Sequence, residues 1–312
     1  MSARRIFFHL FAVAALVAAA DFAFGRAMSR YIASHPLPGD YSKIDHMIRS
    51  PDADILLLGP SVCMNSLMPT EFERATGLKC FNGGANDQTL EFCECMLEAH
   101  LARHKPRFVV IAMRPNELRF SGNGRLGMLR IYYGTGHSAI DRHLEGDGLL
   151  EKILLKSSFY RLNTHGWRML LYTFKSYGEM DKGGFVAKPR PSILPRRMQM
   201  RGFSPSDEIP PPKPEKLEAF KRIIAMCREA GVKLAVAIPP VCGDAAGKRL
   251  SGCISTERIC KEYAVPFLDD SLNADFSGNP ALFFDTNHLN GDGAKPYTRL
   301  VLEKLREGRF FE

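Results

Sequence analysis

A histidine that follows an aspartate by three residues is the first feature of this sequence that could do chemistry. The segment reads Asp285-Thr-Asn-His288. At this spacing the carboxylate can accept a hydrogen bond from one imidazole nitrogen, which sets the tautomer and stabilises the imidazolium formed when the other nitrogen takes a proton. The pair predicts a general base with its orienting acid, although unrelated surface pairs share the spacing.

Ser61 is the candidate nucleophile for such a base. It follows the unbroken apolar run Ile55–Leu58 and the turn residues Gly59 and Pro60. A run of this kind is typical of a parallel strand that is covered on both faces. Ser61 is therefore predicted at the carboxyl end of a first strand, where its hydroxyl can stand clear of the sheet. A serine in a Gly-Pro turn can also be a turn former alone.

Two more predicted strand ends carry groups that could stabilise negative charge. Asn82-Gly83-Gly84 follows a second short strand candidate, and Asn116 follows a third. A glycine allows its backbone N–H to approach a substrate oxygen, and an asparagine amide adds another donor for the charge of a tetrahedral intermediate. Four strand ends are then expected to supply one site.

In this order the blocks resemble those of the SGNH, or GDSL-like, hydrolase superfamily, whose motifs run Ser, Gly, Asn and Asp-x-x-His along the chain. The resemblance implies that Ser61 is the nucleophile, His288 the base and Asp285 its partner. It also implies an oxyanion hole made by the Ser61 N–H, the Gly84 N–H and the Asn116 side chain. It implies no metal and no organic cofactor.

The blocks depart from the family pattern at two places. Pro60 stands where an acidic residue or serine is usual, which removes an N–H that the hole does not need. The third block lacks its usual glycine and has Glu117 in place of aspartate. In the same block, Arg114 could contact an anionic sugar or phosphate, or it could form a structural salt bridge.

The remaining apolar patterns predict an α/β fold with a doubly wound parallel sheet, and the resemblance implies that this sheet is flavodoxin-like, of the SGNH hydrolase type. Leu217, Phe220, Ile224 and Cys227 share one face of a helix predicted over Pro214–Ala230. A closing helix is predicted over Ala294–Leu305. The further strand candidates are Lys79–Asn82, Phe108–Met113, Val232–Ile238 and Pro266–Asp269.

The pattern fails between about residues 119 and 212. This stretch begins rich in glycine, continues apolar and helical from about Leu149 to Tyr177, and ends rich in proline and arginine. We interpret it as a large insertion in an α/β domain of residues 41–312. Because ligands of open α/β sheets bind beyond the carboxyl ends of the strands, the insertion could be a lid over the site. A flexible loop without a substrate role is the alternative.

The N-terminus predicts a membrane helix. Ile6 to Phe24 is almost wholly apolar and follows Arg4 and Arg5, a charge placement that keeps the N-terminus in the cytoplasm. We expect a signal anchor over residues 1–25, a tether over 26–40, and a periplasmic catalytic domain on the inner membrane. A cleaved signal peptide, with a cleavage site near Ala18–Ala20, and a buried helix of a soluble protein are the alternatives.

Composition limits the other function classes. The chain has 45% hydrophobic and 24% charged residues and a net charge of +8, with no nucleic-acid-binding motif. The charge suggests weak attraction to anionic lipid or an acidic glycan, or simply a solvated basic surface. There are eight cysteines. Export would permit a local disulfide among Cys242, Cys253 and Cys260, whereas Cys63 and Cys80 are expected to be buried hydrophobic residues, as is Cys227.

Together these features predict a serine esterase or O-acyltransferase that acts on an envelope polysaccharide or a related ester. An anchor joined to this superfamily resembles the envelope O-acylation group, which is similar to alginate acetylation and D-alanyl transfer proteins. The expected partners are an acyl donor, a glycan acceptor and a multi-span membrane O-acyltransferase. An inactive binding or assembly subunit is the alternative. A nucleotide enzyme has little support, because no P-loop follows the first strand.

Overall fold

Five parallel strands form the sheet in this computed structural model, which describes residues 3–35, 37, 39–49, 52–122, 125–146, 148–163, 183–191, 211–243 and 249–312. The strands are β1 (Ile55–Leu58), β2 (Cys80–Asn82), β3 (Phe108–Ala112), β4 (Lys233–Ile238) and β5 (Phe267–Asp269). Their order is β2-β1-β3-β4-β5, and every neighbouring pair is parallel. This order is that of flavodoxin-like folds, so the predicted doubly wound sheet is confirmed.

The sheet is buried on both faces, as its apolar runs predict. All four residues of β1 are at most 1% exposed. Side chains alternate along a strand, so Ile55 and Leu57 join a core with Phe72 and Tyr297 on one face, while Leu56 and Leu58 point to the other. The strands therefore need helices on both sides.

The α-helices of the described residues include one at Pro214–Ala230 with the predicted bounds. They are α1 (Ala3–Ser34), α2 (Asp40–Arg49), α3 (Ser61–Ser66), α4 (Pro69–Thr76), α5 (Leu90–Leu101), α6 (Ser138–Glu145), α7 (Leu149–Leu154), α8 (Pro214–Ala230), α9 (Ser251–Glu262), α10 (Ala274–Ser277) and α11 (Gly291–Glu307). Helix α8 ends at Gly231, whose φ of 64° is a left-handed conformation. Helix α11 begins earlier than predicted, because the Asn290 side chain accepts hydrogen bonds from the N–H groups of Asp292 and Gly293.

The described chain divides into two compact units. One contains Met1–Ser42 and Leu126–Tyr177, and the other contains Lys43–Arg125 and Gly178–Glu312 with the whole sheet. Part of the predicted insertion therefore groups with the N-terminal segment rather than with the α/β domain. Of the predicted helical stretch Leu149–Tyr177, residues 149–163 form α7, a turn and a second helical segment at 158–163. The remainder of the stretch lies outside the described residues.

Helix α1 continues through residues 26–34 of the predicted tether. No proline occurs in the chain before Pro36, so nothing in this stretch stops the helix. Gly25 and Met28 are buried within the first unit, whereas the large apolar side chains from Ile6 to Phe22 are exposed. By length and composition α1 is able to cross a membrane.

All eight cysteines are free and buried. The local disulfide that export would permit among Cys242, Cys253 and Cys260 is not formed: the Cys253 thiol instead faces the Ser271 hydroxyl at 3.4 Å. Burial raises the pKa of Cys63 and Cys260 to about 12, which suppresses the thiolate form that disulfide exchange requires. The expectation that Cys63, Cys80 and Cys227 fill the core is confirmed.

We predict that Glu71→Gln destabilises the α/β unit. Glu71 of α4 is 5% exposed and binds Arg74 at 2.5 Å and Arg299 of α11 at 2.9 Å. Burial alone would raise the pKa of Glu71, but the two arginines outweigh it and lower the pKa below its ordinary 4.5. Loss of the charged hydrogen bonds should lower the free energy of unfolding by about 1–3 kcal/mol at neutral pH.

This loss should depend on pH, because the pKa of Glu71 is lower in the folded chain than in the unfolded chain. The stability from its charge is complete above pH 4.5 and is lost as the pH falls through the folded-state pKa. Urea unfolding at neutral pH and in acid measures the difference in free energy of unfolding between the unaltered chain and the Glu71→Gln variant. Glu218→Gln, which removes the exposed pair with Lys221, should change little. A difference between the unaltered chain and Glu71→Gln that is as large in acid as at neutral pH would contradict the prediction.

Candidate active site

Ser61 sits at a sharp turn from β1 into α3, as its sequence context predicts. Gly59 has a φ of 143°, and a Cβ built on it would lie 2.1 Å from the Ala112 carbonyl oxygen at the end of β3. No other residue fits there, because both the conformation and the close approach exclude a side chain. Pro60 is the N-cap of α3, and Ser61 is its first helical residue. The serine therefore lies at the carboxyl ends of β1 and β3, where the strand order reverses. This is the usual position of the ligand crevice in a sheet of this strand order.

The Asp285-to-His288 loop is organised by the aspartate. One carboxylate oxygen of Asp285 accepts hydrogen bonds from the backbone N–H groups of Asn287 at 2.8 Å and His288 at 2.9 Å. Phe283 and Leu289 form an antiparallel bridge that closes the loop, and Asn290 then caps α11. This folding turns the imidazole back onto the carboxylate.

Ser61, His288 and Asp285 form one hydrogen-bonded chain. The Ser61 Oγ lies 2.7 Å from His288 Nε2, across 227 residues of sequence. His288 Nδ1 lies 2.8 and 2.9 Å from the two Asp285 carboxylate oxygens. A carboxylate cannot donate, so Nδ1 carries the proton and Nε2 is free to accept one from the serine. The three residues have the geometry of a nucleophile, base and orienting acid.

The electrostatics of Asp285 suit this role. Burial alone would raise the pKa of Asp285, but the hydrogen bond and charge of His288 and the two backbone N–H groups together lower it below its ordinary value. Asp285 therefore stays ionised opposite the imidazole. The side chain of His288 is 21% exposed and Ser61 is half-buried, so the reacting atoms remain within reach of a substrate.

Gly84 packs against the first turn of α3. A Cβ on Gly84 would lie 2.8 Å from both Cys63 Cβ and the Met64 backbone nitrogen. Its N–H donates to the Asn82 side-chain oxygen at 2.9 Å, and its carbonyl accepts from the buried Lys43 amine at 2.6 Å. The glycine is needed for close packing, but its N–H already has a partner in the absence of substrate. Its oxyanion role stays a prediction.

Asn82 has a positioning role that the sequence motif does not reveal. Its side chain is fully buried and donates to the Cys63 carbonyl at 3.0 Å and the Leu67 carbonyl at 2.7 Å. It thereby ties β2 to both the first and the last turn of α3. In the sequence, the signal for such a role is a polar residue at the end of an otherwise apolar strand.

Asn116 follows β3 and is half-buried. Its side-chain oxygen lies 2.6 Å from the position of a Cβ built on Gly252, at the start of α9. The prediction that its amide contributes to an oxyanion hole remains open. The neighbouring Glu117, which replaces the usual aspartate of this block, is 1% exposed.

Arg114 forms the structural salt bridge that the sequence left as one of two alternatives. It binds both carboxylate oxygens of Glu117, at 2.7 and 3.1 Å, and donates to the Gln88 carbonyl at 3.1 Å. Its guanidinium also stacks on the Phe120 ring. A guanidinium that forms two hydrogen bonds to a carboxylate and stacks on an aromatic ring is held in one orientation. Arg114 therefore connects the loop after β2 with the loop after β3. These two strands lie on either side of β1, the strand that precedes Ser61.

Residues 183–191, which lie within the predicted insertion, form a strap along the site. Val186 exchanges hydrogen bonds with α3: its N–H donates to the Met64 carbonyl at 3.2 Å, and its carbonyl accepts from the Asn65 side chain at 2.7 Å. The Lys188 carbonyl accepts from the Gly291 N–H at 3.1 Å, at the start of α11. The strap therefore links the helix that carries the serine to the helix that follows the histidine.

Known proteins give limited help with this site. No protein-family model and no curated protein matches the chain. Solved structures with a similar fold include TesA, with 11% identity and a TM-score of 0.43 over 81% of this chain and 98% of the other. An acetylxylan esterase from Geobacillus stearothermophilus, crystallised as a catalytic mutant, has 11% identity and a TM-score of 0.43 over 83% and 96%. A lipase/acylhydrolase from Enterococcus faecalis has 12% identity and a TM-score of 0.39 over 82% and 95%. Likenesses this weak decide nothing about activity, which has to be argued from the site itself.

We predict that Asn82→Ala damages both stability and the site. The change leaves the Leu67 carbonyl and the Gly84 N–H without their buried side-chain partner, while the Cys63 carbonyl keeps the Leu67 N–H. The loss should lower the free energy of unfolding by about 2–4 kcal/mol. Thermal unfolding measures the loss. Asn279→Ala, which removes an exposed cap on the short 3-10 helix Pro280–Leu282, is the matched control and should cost about 1 kcal/mol or less. Equal losses in the two variants would contradict the assignment.

Proposed function

We propose that this protein is a serine-dependent esterase or O-acyltransferase of the SGNH, or GDSL-like, type that works through an acyl-serine intermediate. The observation that carries the proposal is the continuous hydrogen-bonded chain from Ser61 through His288 to Asp285, with distances of 2.7 and 2.8 Å. A strand-to-helix turn holds the serine, and a carboxylate held by backbone N–H groups orients the base. This is the minimum that nucleophilic acyl transfer requires.

The chemistry follows from the roles of the three residues. His288 Nε2 takes the Ser61 proton as Oγ attacks the carbonyl carbon of an ester, and Asp285 stabilises the imidazolium. The tetrahedral intermediate collapses when the alcohol leaves with the proton from His288, which produces the acyl-serine. An incoming hydroxyl then gives its proton to His288 as its oxygen attacks the acyl carbon, and the Ser61 oxygen leaves with that proton, so that Ser61 is regenerated. If the incoming molecule is water the reaction is hydrolysis, and if it is a sugar hydroxyl it is transfer.

The N-terminal helix motivates an envelope setting for this reaction. We propose that α1 anchors the chain in the inner membrane with the catalytic unit on the periplasmic side. The support is the apolar, outward-facing surface of α1 between Ile6 and Phe22 and the basic pair Arg4 and Arg5 before it. In this setting a membrane-bound glycan is a suitable acceptor, and a multi-span membrane O-acyltransferase would be a suitable source of acyl groups.

We predict that a fluorophosphonate forms a single covalent adduct with the full-length chain, seen as one mass increment by intact-mass spectrometry. Ser61→Ala removes the only proposed nucleophile and His288→Ala removes its base, so both should lower adduct formation and ester hydrolysis on the order of a thousandfold or more. Ser66→Ala, at the buried end of the same helix, should react like the unaltered chain. An adduct that survives Ser61→Ala would rule out the assignment.

We also predict that Asp285→Asn keeps the fold but lowers kcat about 10²- to 10⁴-fold, because an amide can hold the imidazole in the wrong tautomer and does not stabilise the imidazolium. Steady-state kinetics with a chromogenic acetyl ester measure the change, and thermal unfolding checks that the chain remains folded. A variant with near-normal kcat would remove Asp285 from the mechanism.

One observation favours the alternative of an inactive binding or assembly subunit. The Gly84 N–H is bonded to Asn82 rather than open, so one predicted oxyanion donor is engaged. On that hypothesis the folded chain forms no adduct with the fluorophosphonate, and Ser61→Ala leaves the envelope phenotype intact. The reagent and the variant thus separate the two functions without knowledge of the natural substrate.

A further inference from the structure

Among the described residues, four exposed large hydrophobic side chains lie outside α1, and all four are close together in sequence. Leu149 is 75% exposed, Leu150 70%, Ile153 60% and Phe159 42%. Every other large hydrophobic side chain of comparable exposure among the described residues belongs to α1. Exposed apolar residues that cluster in this way mark a surface for binding a partner or a membrane. We call these four residues the 149–159 surface.

Three of the four residues of the 149–159 surface lie on α7 and point in one direction. Leu149 and Ile153 are four residues apart, and Leu150 and Ile153 are three apart, so the three share one face of the helix. Glu151 points elsewhere: its carboxylate binds Arg130 at 2.9 Å and is 11% exposed. Helix α7 is therefore anchored by a polar residue and presents its leucines and isoleucine outward.

Asp21 joins this surface to α1 within the same unit. Its carboxylate accepts hydrogen bonds from the Ser157 hydroxyl at 2.7 Å and from the backbone N–H groups of Ser158 and Phe159, both at 2.8 Å. It caps the helical segment that begins at residue 158. The Phe159 ring also stacks on Phe24, with centroids 4.5 Å apart. Phe159 thus lies level with the end of the apolar segment of α1.

Asp21 is otherwise a costly residue for this helix, since a carboxylate at the edge of a membrane needs partners. The three hydrogen bonds supply them. The contact brings residues 157–159 to the depth at which α1 would leave the hydrocarbon, and this depth is where amphipathic segments bind.

The charge beside this surface fits a lipid headgroup. Phe22, Arg26 and Arg30 follow one another at intervals of four along α1, so an aromatic ring is succeeded by two cations along one ridge. These residues line a cavity of about 520 Å³ together with Gly25, Ser29, Ala33, Ser158 and Arg161. Arginine side chains can lay their apolar stems along hydrocarbon and reach the phosphates with their charged ends.

We infer that the 149–159 surface lies in the outer leaflet of the bilayer beside α1, with Arg26, Arg30 and Arg161 at the level of the lipid phosphates. This inference rests on the proposed membrane span of α1 and extends it. The chain would then be held by a second contact that fixes the rotation and tilt of its first unit. The Phe159 ring contacts the end of the span through Phe24, and the basic cavity is complementary to an anionic headgroup.

The test places a bimane fluorophore at single cysteines in the full-length chain, reconstituted in vesicles of phosphatidylcholine and phosphatidylglycerol. Ile153→Cys reports on the 149–159 surface, Leu16→Cys on the span, and Glu262→Cys, exposed on α9 of the other unit, on water. The eight native thiols are buried, and the unaltered chain measures their labelling background. We expect lipids that carry a doxyl group near the headgroup to quench Ile153 by half or more, and aqueous iodide to quench it several-fold less than Glu262.

Each other outcome overturns the inference in a distinguishable way. If Leu16 is protected from iodide but Ile153 is quenched like Glu262, α1 spans the membrane and the 149–159 surface lies in water. If neither iodide nor doxyl lipid quenches Ile153, the surface is covered by protein, as in a contact between two copies. If iodide quenches Leu16 itself, the proposed span fails and the inference fails with it.

Discussion

The close approach of Gly59 to the end of β3 is the constraint on which the rest of the site depends. Only a residue without a side chain can adopt the φ of 143° there and leave room for the Ala112 carbonyl. The chain can therefore leave β1 abruptly and start α3 at Ser61, in the crevice at the carboxyl ends of β1 and β3. Any larger residue would push the nucleophile away from the edge of the sheet.

The helix that carries the serine is short, and its stability comes from outside. An isolated helix of one or two turns is not stable in water, so α3 depends on the buried Asn82 amide and on the Val186 strap for hydrogen bonds. The same strap reaches the start of α11, which follows the histidine. Two segments far apart in sequence are thus held at the 2.7 Å separation that proton transfer needs.

Polar groups are used differently in the two units. In the α/β unit, buried ionic groups such as Glu71, Glu117 and Lys43 connect strand-end loops and helices around the catalytic residues. In the first unit, Asp21 connects a long apolar helix to a short segment that has its own exposed apolar face. Buried charges of this kind are costly unless every partner is present, so each specifies one arrangement of the elements it joins.

The sequence by itself determined the strands, helix α8, the approximate positions of α1 and α11, and the three residues of the hydrogen-bonded chain. Long apolar runs leave little choice of secondary structure, and the spacing of Asp285 and His288 is a local property that forms a local turn. Ser61 was identifiable because a glycine and a proline end its strand. These features depend on residues that are neighbours along the chain.

Tertiary structure decided what depends on distant residues. The positioning role of Asn82 and the strap at residues 183–191 each involve partners that no sequence spacing reveals. The same holds for the grouping of Leu126–Tyr177 with the N-terminal helix, since the cap that joins Asp21 to Ser158 spans 137 residues. A hydrogen bond between distant segments exists only once the chain has folded, because its two ends are brought together by the packing of everything between them.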